Sequence, residues 1–478
     1  MRPDWFVAAG NSWVQNEIHA ARLTSYVTEL YAFGRVELQI SGETLIGSRP
    51  VELISLIKRH GDLQNLDYSV LDVSRVVEAL REETLHPCKI DIGLLTSQWV
   101  MLRRPEDLGR FLHETLGRRF LTGYPRSQPV LSIVMHGFGR VARILTRILS
   151  RYGPEGQIRL RTVISRIRED GEDRLFRRFR LLQNDSVYGA FHGDIDYVPE
   201  RSALIVNGNE VVFHESEADL MGEDGSDPLL FLDTTGRRLD WRARFDTLSA
   251  QGVTALAATY PVPELPSIVH GVNHFQLHEL VPPVFSIGSD SVNAVAPLLR
   301  LVHDEYGIEN GHIEIVRPFT NDQNLLDNIH ESERLGRSAP GNLVLFASDL
   351  VDEIDRLLPS LADRLTAGFV RAPIANGALG ILQLRLEHPP TRDELNAFLR
   401  HASLKSDLRD QLDYSRAPDF VSADIRANPH SAVVDSPRTM VAGKQVVIYV
   451  WYDNEYGYAV QILRLCQELS NLAIMQYG

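Results

Sequence analysis

The segment with the most chemical content is His136-Gly137-Phe138-Gly139-Arg140-Val141-Ala142. Gly137, Gly139 and Ala142 fit a GxGxxG/A pattern, in which missing side chains let the backbone approach a pyrophosphate at a helix N-terminus. The setting supports it. Residues 130–135 form a short apolar run broken only by Ser132, as expected of a strand buried on both faces, and a helical stripe through Leu145, Ile148 and Leu149 comes next. A turn that needs glycine only for its backbone geometry is the alternative. A second strand is expected over 158–164, and the residues after it choose the cofactor. Arg166 favours the 2′-phosphate of NADP, whereas Glu169 or Asp170 favours the NAD ribose if the strand runs longer. Both choices stand.

The elements that must position this turn come from the rest of the chain. At 478 residues and 44% hydrophobic, the chain has the length for two to four domains with closed cores, which excludes disorder for most of it. Lys plus Arg number 49 against 63 Asp plus Glu, and a net charge of −14 argues against general binding of polyanions such as nucleic acid. The densest basic segment, Arg166, Arg168, Arg174, Arg177, Arg178 and Arg180, is interleaved with Glu169, Asp170, Glu172 and Asp173 and reads as a solvated, salt-bridged surface. Cys88 and Cys466 lie in neither a CxxC nor a metal-ligand spacing, so no metal site is expected and a reducing compartment fits. Without a signal peptide's apolar core or a membrane-length apolar run, the expected location is the cytoplasm. Apolar stripes at 13–32, 51–57 and 70–80, and an acidic helix start at Pro105-Glu106-Asp107, predict a helical N-terminal extension over 1–128. The turn-rich hexapeptide Tyr124-Pro125-Arg126-Ser127-Gln128-Pro129 is a plausible linker between that extension and the remainder of the chain.

From residue 130 onward the chain resembles the glyceraldehyde-3-phosphate dehydrogenase family. His136-Gly137-Phe138-Gly139-Arg140-Val141-Ala142-Arg143 is similar to the family's NGFGRIGR, and Trp451-Tyr452-Asp453-Asn454-Glu455-Tyr456-Gly457-Tyr458 to its WYDNE(F/W)GYS. Asp185-Ser186-Val187-Tyr188-Gly189-Ala190-Phe191-His192-Gly193, Thr234-Thr235-Gly236 and His270-Gly271-Val272-Asn273 fall in family order. With Thr320-Asn321-Asp322-Gln323-Asn324-Leu325, the extension looks most like the long proteobacterial form. The resemblance implies an α/β architecture. A Rossmann-type dinucleotide-binding domain over 129–289 is completed by 451–478, and an α+β mixed-sheet catalytic-type domain covers 290–450, usually within a homotetramer. It also implies NAD or NADP as cofactor, contacted by Gly137, Phe138, Gly139, Arg140, Val141, Thr235, Asn454 and Tyr458. A small phosphorylated substrate would meet Thr320 and Arg371.

The resemblance breaks where the family does its chemistry. Its SxSCTTN nucleophile segment reads Ser286-Ile287-Gly288-Ser289-Asp290-Ser291-Val292-Asn293, with Asp290 in place of the cysteine. The histidine segment reads Val316-Arg317-Pro318-Phe319-Thr320, with Arg317 in place of the base. A thiolate beside a protonated histidine is an anion beside a cation, and Asp290 beside Arg317 would preserve that pattern without a nucleophile or a titratable base. Asp349 stands in the phosphate-site segment, and Ala258-Thr259-Tyr260-Pro261 replaces the loop on the nicotinamide side. The expected function is a dinucleotide-binding relative without phosphorylating dehydrogenase activity, in a regulatory or assembly role, alone or in a mixed oligomer with an active paralogue. The alternative is an oxidoreductase or other enzyme with thiol-independent chemistry on a small phosphorylated carbonyl compound.

Overall fold

The computed structural model describes residues 4–117, 120–121, 130–153, 156–169, 172–220, 229–237, 240–347, 349–470 and 475–477. The chain divides into two compact units, Met1–Gln128 with Ala473–Gly478, and Pro129–Leu472. The hexapeptide read as a linker lies outside the described residues.

The first unit is largely helical, as its stripes predict: Asp4–Gly34, Pro50–Gln64, Val70–Arg81, Ile92–Met101 and Leu108–Leu116. Local chemistry sets the helix starts. Ser69 and Asp72 form a capping box, and Asp107 Oδ1 accepts the Arg110 N–H at 2.9 Å. The stripes did not reveal a four-stranded sheet in the order Glu43–Thr44, Val36–Ile40, Cys88–Asp91, Met475–Tyr477. Its strands do alternate apolar and polar letters, Val36-Glu37-Leu38-Gln39-Ile40 and Cys88-Lys89-Ile90-Asp91, but each run is too short to stand out among the helical stripes, and its polar letters, Glu37 and Gln39 among them, turn out to be buried. One expected boundary is corrected here: the segment 451–478 does not stay together. Met475–Tyr477 pairs in parallel with Cys88–Asp91, satisfying backbone groups that a bare sheet edge would leave unpaired.

In the second unit, an eight-stranded sheet runs Ile195–Val198, Ala203–Val206, Asn209–His214, Ile158–Ile164, Leu131–His136, Leu229–Asp233, Val253–Ala258, Val284–Ser286. From Asn209–His214 onward every pairing is parallel. The central strands are buried along almost their whole length, which explains their unbroken apolar runs. Leu131–His136 lies between Ile158–Ile164 and Leu229–Asp233, so the strand order reverses direction at the strand that feeds the glycine turn. Ligands of open parallel sheets bind at such a switch point.

A mixed sheet comes next in the chain, in the order Val344–Phe346, Leu365–Ala372, Ile308–Pro318, Ala378–Leu386, Gln445–Tyr452, Ala432–Asp435, Leu412–Ser415, with Met440–Ala442 beside Gln445–Tyr452. The helix Asp290–Tyr306 packs on this sheet through an apolar face that includes Val292, Val295, Leu298 and Val302. The fold is a Rossmann-type domain with an α+β mixed-sheet domain, preceded by a helical segment. The expected break at 450/451 falls inside the strand Gln445–Tyr452. The chain returns to the first domain with the helix Tyr456–Leu469, which packs against Arg140–Leu149. Among the described residues no helix is long and apolar enough to cross a membrane.

Candidate active site and glycine-turn cradle

The turn after Leu131–His136 needs its first glycine for shape. Gly137 has φ +94°, and a Cβ there would lie 2.7 Å from Thr234 Oγ1. Gly139 is different: it is exposed, caps the helix Arg140–Leu149 without any side-chain hydrogen bond, and a Cβ there would meet nothing within 4 Å. The helix therefore presents its first N–H groups to open space, the arrangement that holds an anion. Phe138 faces away from that space, buried with its ring 5.1 Å from Phe213 in an edge-on contact. Arg140 is held by Glu455 at 2.8 Å, and Asp233 Oδ1 accepts both the N–H and the hydroxyl of Thr235 at 2.7 Å. Val141, on the first turn, is partly exposed.

Two guanidinium groups converge beneath this turn, Arg143 Nη1 at 3.2 Å and Arg178 Nη1 at 3.4 Å from the Phe138 carbonyl. The Arg143 Nε is buried with no hydrogen-bond partner. Burial, followed by the neighbouring Arg174, Arg143 and Arg166, pulls the Arg178 pKa below its ordinary value. Arg178 therefore leaves the solvated face on which the sequence pattern put it and adds positive charge beside the cradle. Arg166 is exposed just past Ile158–Ile164, as its position implies. Asp170 and the side chain of Glu169 lie outside the described residues.

The second turn, residues 287–289, joins Val284–Ser286 to the helix Asp290–Tyr306. Arg317, on the strand Ile308–Pro318, donates from Nη2 to Asp290 Oδ2 at 3.1 Å. The two side chains are 21% and 11% exposed, so the pair is largely shielded from water. Asp290 is the largest cause of a raised Arg317 pKa, which keeps the guanidinium charged. Around them, Tyr458 OH donates to the Gly288 carbonyl at 2.8 Å, and the hydroxyls of Tyr452 and Ser291 share a hydrogen bond of 2.9 Å. Asn293 Nδ2 donates to the carbonyls of Ile287 and Ser289 at 2.8 and 2.9 Å. Asn454 is buried with its Oδ1 lacking any hydrogen-bond partner, an acceptor available to a carboxamide.

Thr320 and Arg371 do come together, and a third residue occupies them. Arg371 donates through Nη1 and Nη2 to both carboxylate oxygens of Asp322, at 2.9 and 2.8 Å, and Thr320 Oγ1 donates to the same group. Partial burial pushes the Asp322 pKa up, but hydrogen bonds from Arg371 and Thr320 outweigh it and hold the group below its ordinary value. Asp349 is exposed ahead of the helix Leu350–Leu357, and Ser348 lies outside the described residues.

Sequence reasoning missed Glu353. It is 2% exposed, and its Oε2 accepts the Ser289 N–H at 2.8 Å, directly behind the second turn. Burial, the first cause, raises its pKa to about 7. The signal was present: Glu353 sits on the buried face of Leu350–Leu357 with Leu350, Ile354 and Leu357, where an apolar letter is expected. Both cysteines are buried, and burial pushes both thiols up to about 12, so neither is a ready nucleophile.

Comparison with known proteins matches this architecture. Residues 289–454 fit the model of the glyceraldehyde 3-phosphate dehydrogenase C-terminal domain. A glyceraldehyde-3-phosphate dehydrogenase-like protein of Pseudomonas aeruginosa (strain UCBPP-PA14) is 32% identical over 453 residues, 93% of this chain and 98% of that one. The chain belongs to the glyceraldehyde-3-phosphate dehydrogenase family. A coverage of 93% necessarily takes in most of the extension. The plasmid-encoded glyceraldehyde-3-phosphate dehydrogenase of Cupriavidus necator is 32% identical over 70% of this chain and 96% of its own. That of Borreliella burgdorferi is 29% identical over 71% and 99%.

Proposed function

We propose that this chain is a nicotinamide-dinucleotide-binding member of the family that does not carry out phosphorylating aldehyde oxidation and acts in a regulatory or assembly role. The observation that carries the reading is the Asp290–Arg317 ion pair at 3.1 Å, standing where the family resemblance puts a thiol and its base. Neither partner replaces what was lost. A shielded carboxylate already bound to a guanidinium is a poor nucleophile, and an arginine that stays charged cannot accept a proton.

The cradle supports cofactor binding. The open helix N-terminus at Gly139, with Arg143 and Arg178 beneath it, suits a pyrophosphate, and the partnerless Asn454 Oδ1 suits the nicotinamide carboxamide. Arg140, Val141 and Thr235 line the approach, and Tyr458 fixes the floor through Gly288. NAD or NADP bound there supplies a hydride acceptor. The chain's own residues supply orientation but no covalent acyl carrier. The anion donors Thr320 and Arg371 are satisfied by Asp322, so a phosphorylated metabolite has to displace that carboxylate. The expected setting is the cytoplasm, with the chain in a homotetramer or in a mixed oligomer with an active paralogue.

A thermal-shift screen with NAD, NADP and small phosphorylated metabolites, followed by a turnover assay, tests the reading. The expected result is a dinucleotide-dependent rise in Tm with no reduction of the cofactor on adding glyceraldehyde 3-phosphate and phosphate. Robust turnover by the wild-type protein overturns it. A second reading, an enzyme with thiol-independent chemistry, is favoured by one observation: Glu353, titrating near neutrality behind Asp290, is poised to exchange a proton. It requires a turnover that both Asp290→Asn and Glu353→Gln abolish.

A further inference from the structure

Away from the cleft, the loop after the Rossmann strands meets the last turns of the helix Tyr456–Leu469 at a group of residues that the dehydrogenase reading leaves unused. His270, His274 and Glu468 each place one ligand atom within 4.8 Å of the other two. His270 Nε2 lies 3.7 Å from Glu468 Oε1, and His278 Nε2 lies 3.8 Å from Glu468 Oε2. Both gaps exceed a hydrogen bond. The gap between His270 and Glu468 approaches the separation of about 3.4 Å between two ligand atoms that share one tetrahedral ion at about 2.1 Å. The rings of His270 and His274 stack with centroids 4.3 Å apart. We propose that His270, His274 and Glu468 form a binding site for a divalent transition-metal ion, zinc in the first place, with water as the fourth ligand.

The ligand set fixes the class of ion. Two imidazoles and one carboxylate suit zinc and its neighbours, whereas calcium and magnesium call for oxygen ligands. A partner for the first ligand is in place: the Gln411 side-chain amide lies 2.5 Å from His270 Nδ1. With the amide oxygen turned to the ring, it accepts the Nδ1–H and leaves the Nε2 lone pair for the metal, the usual support for a metal-bound histidine. On His274 the Nδ1 accepts the Gly271 N–H at 3.2 Å. Binding through its Nε2 moves the ring proton to Nδ1 and exchanges that long hydrogen bond for the metal bond.

The surrounding charges are mixed, with Arg464 near His270 and Arg300 near His274 set against Glu468, Asp410 and Asp407. Arg464 donates to Gln461 Oε1 at 3.1 Å and Arg300 to Asp407 at 2.8 Å, while Asp410 adds negative charge near His270. The ion would fasten the end of the helix Tyr456–Leu469 to the loop at 270–274, and the same helix carries Tyr458 near its start.

Chelator-stripped full-length protein is titrated with zinc chloride by calorimetry and thermal shift, with magnesium chloride as control. One equivalent of zinc is expected to bind and raise Tm, with no response to magnesium. Cobalt(II) is expected to give the visible absorption of a tetrahedral site. His274→Ala and the isosteric Glu468→Gln should each reduce zinc affinity at least 10-fold, Glu468→Gln serving if removal of a ring disturbs folding. Absence of stoichiometric zinc binding overturns the proposal. Zinc binding of unchanged affinity in both variants does the same, and either result leaves the dinucleotide reading untouched.

Discussion

Two strand–turn–helix junctions in the second unit invite comparison, one leading into Arg140–Leu149 and the other into Asp290–Tyr306. Each turn holds a glycine at positive φ under crowding: a Cβ would sit 2.7 Å from Thr234 Oγ1 at Gly137 and 2.7 Å from Val292 Cγ1 at Gly288. They differ in what they do with the helix N-terminus. The first caps its helix with a bare glycine and leaves the N–H groups open. The second fills its own: Ser289 Oγ accepts the Val292 N–H, Glu353 accepts the Ser289 N–H, and Asp290 places a carboxylate in the first turn. An open N-terminus is a ligand site, whereas one already occupied by its own oxygens is a structural joint. On the proposed function, the first junction is the one that binds a ligand and the second is closed by the chain's own groups.

The largest break in that contrast comes from opening the second junction. Arg317→Ala strands the shielded Asp290 without its cation and should cost about 3–5 kcal/mol in urea unfolding, as loss of one partner from a buried pair does. The cycle with Asp290→Ala isolates the pair. A coupling energy near zero would mean that the two replacements are unrelated losses.

The next effect depends on pH. Burial keeps Glu353 protonated in the folded protein up to about pH 7, whereas the unfolded chain ionises it near its ordinary 4.5. Its contribution to stability is therefore complete below about 4.5 and is lost as pH rises through about 7. Glu353→Gln should remove that loss and raise stability at pH 8 relative to pH 5 by on the order of 1–3 kcal/mol compared with wild type. Glu455, also raised to about 7 by burial, supplies a remaining slope. An unchanged pH profile in the variant would show that Glu353 is not the group behind it.

A smaller change in stability sharpens the comparison most directly. Gly139→Ser gives the first junction the capping hydroxyl of the second, at a backbone geometry, φ −76° and ψ −161°, that serine adopts readily. Chemical denaturation should register only a few tenths of a kcal/mol. The dinucleotide-induced rise in Tm should nonetheless shrink or vanish, because the hydroxyl takes an N–H that the pyrophosphate needs. Retention of the full shift would place the cofactor elsewhere.

The smallest effect belongs to the Asp322–Arg371 pair. Asp322 has a half-exposed side chain, so Asp322→Asn should cost no more than about 1 kcal/mol and should improve phosphate binding measured by calorimetry. Weaker phosphate binding in Asp322→Asn would mean that the carboxylate organises this pocket instead of occupying it.

The sequence by itself determined the glycine turn, the order of the two domains after residue 130, and the residues, Asp290 and Arg317, that stand where the family resemblance expects a thiol and a base. These are local or motif-borne properties, carried by adjacent letters and by spacing within one element. It determined the residues of the Asp290–Arg317 pair but not their contact, which joins a helix start to a strand 27 positions later. Three facts were decided only by tertiary structure: Asp322 on Arg371 and Thr320, Glu353 behind Ser289, and Met475–Tyr477 beside Cys88–Asp91. Each joins side chains or backbones from separate elements, and whether a carboxylate meets solvent, an arginine or a buried N–H depends on packing that no single segment encodes. The chain's letters state which groups are available, and the fold decides which of them are already taken.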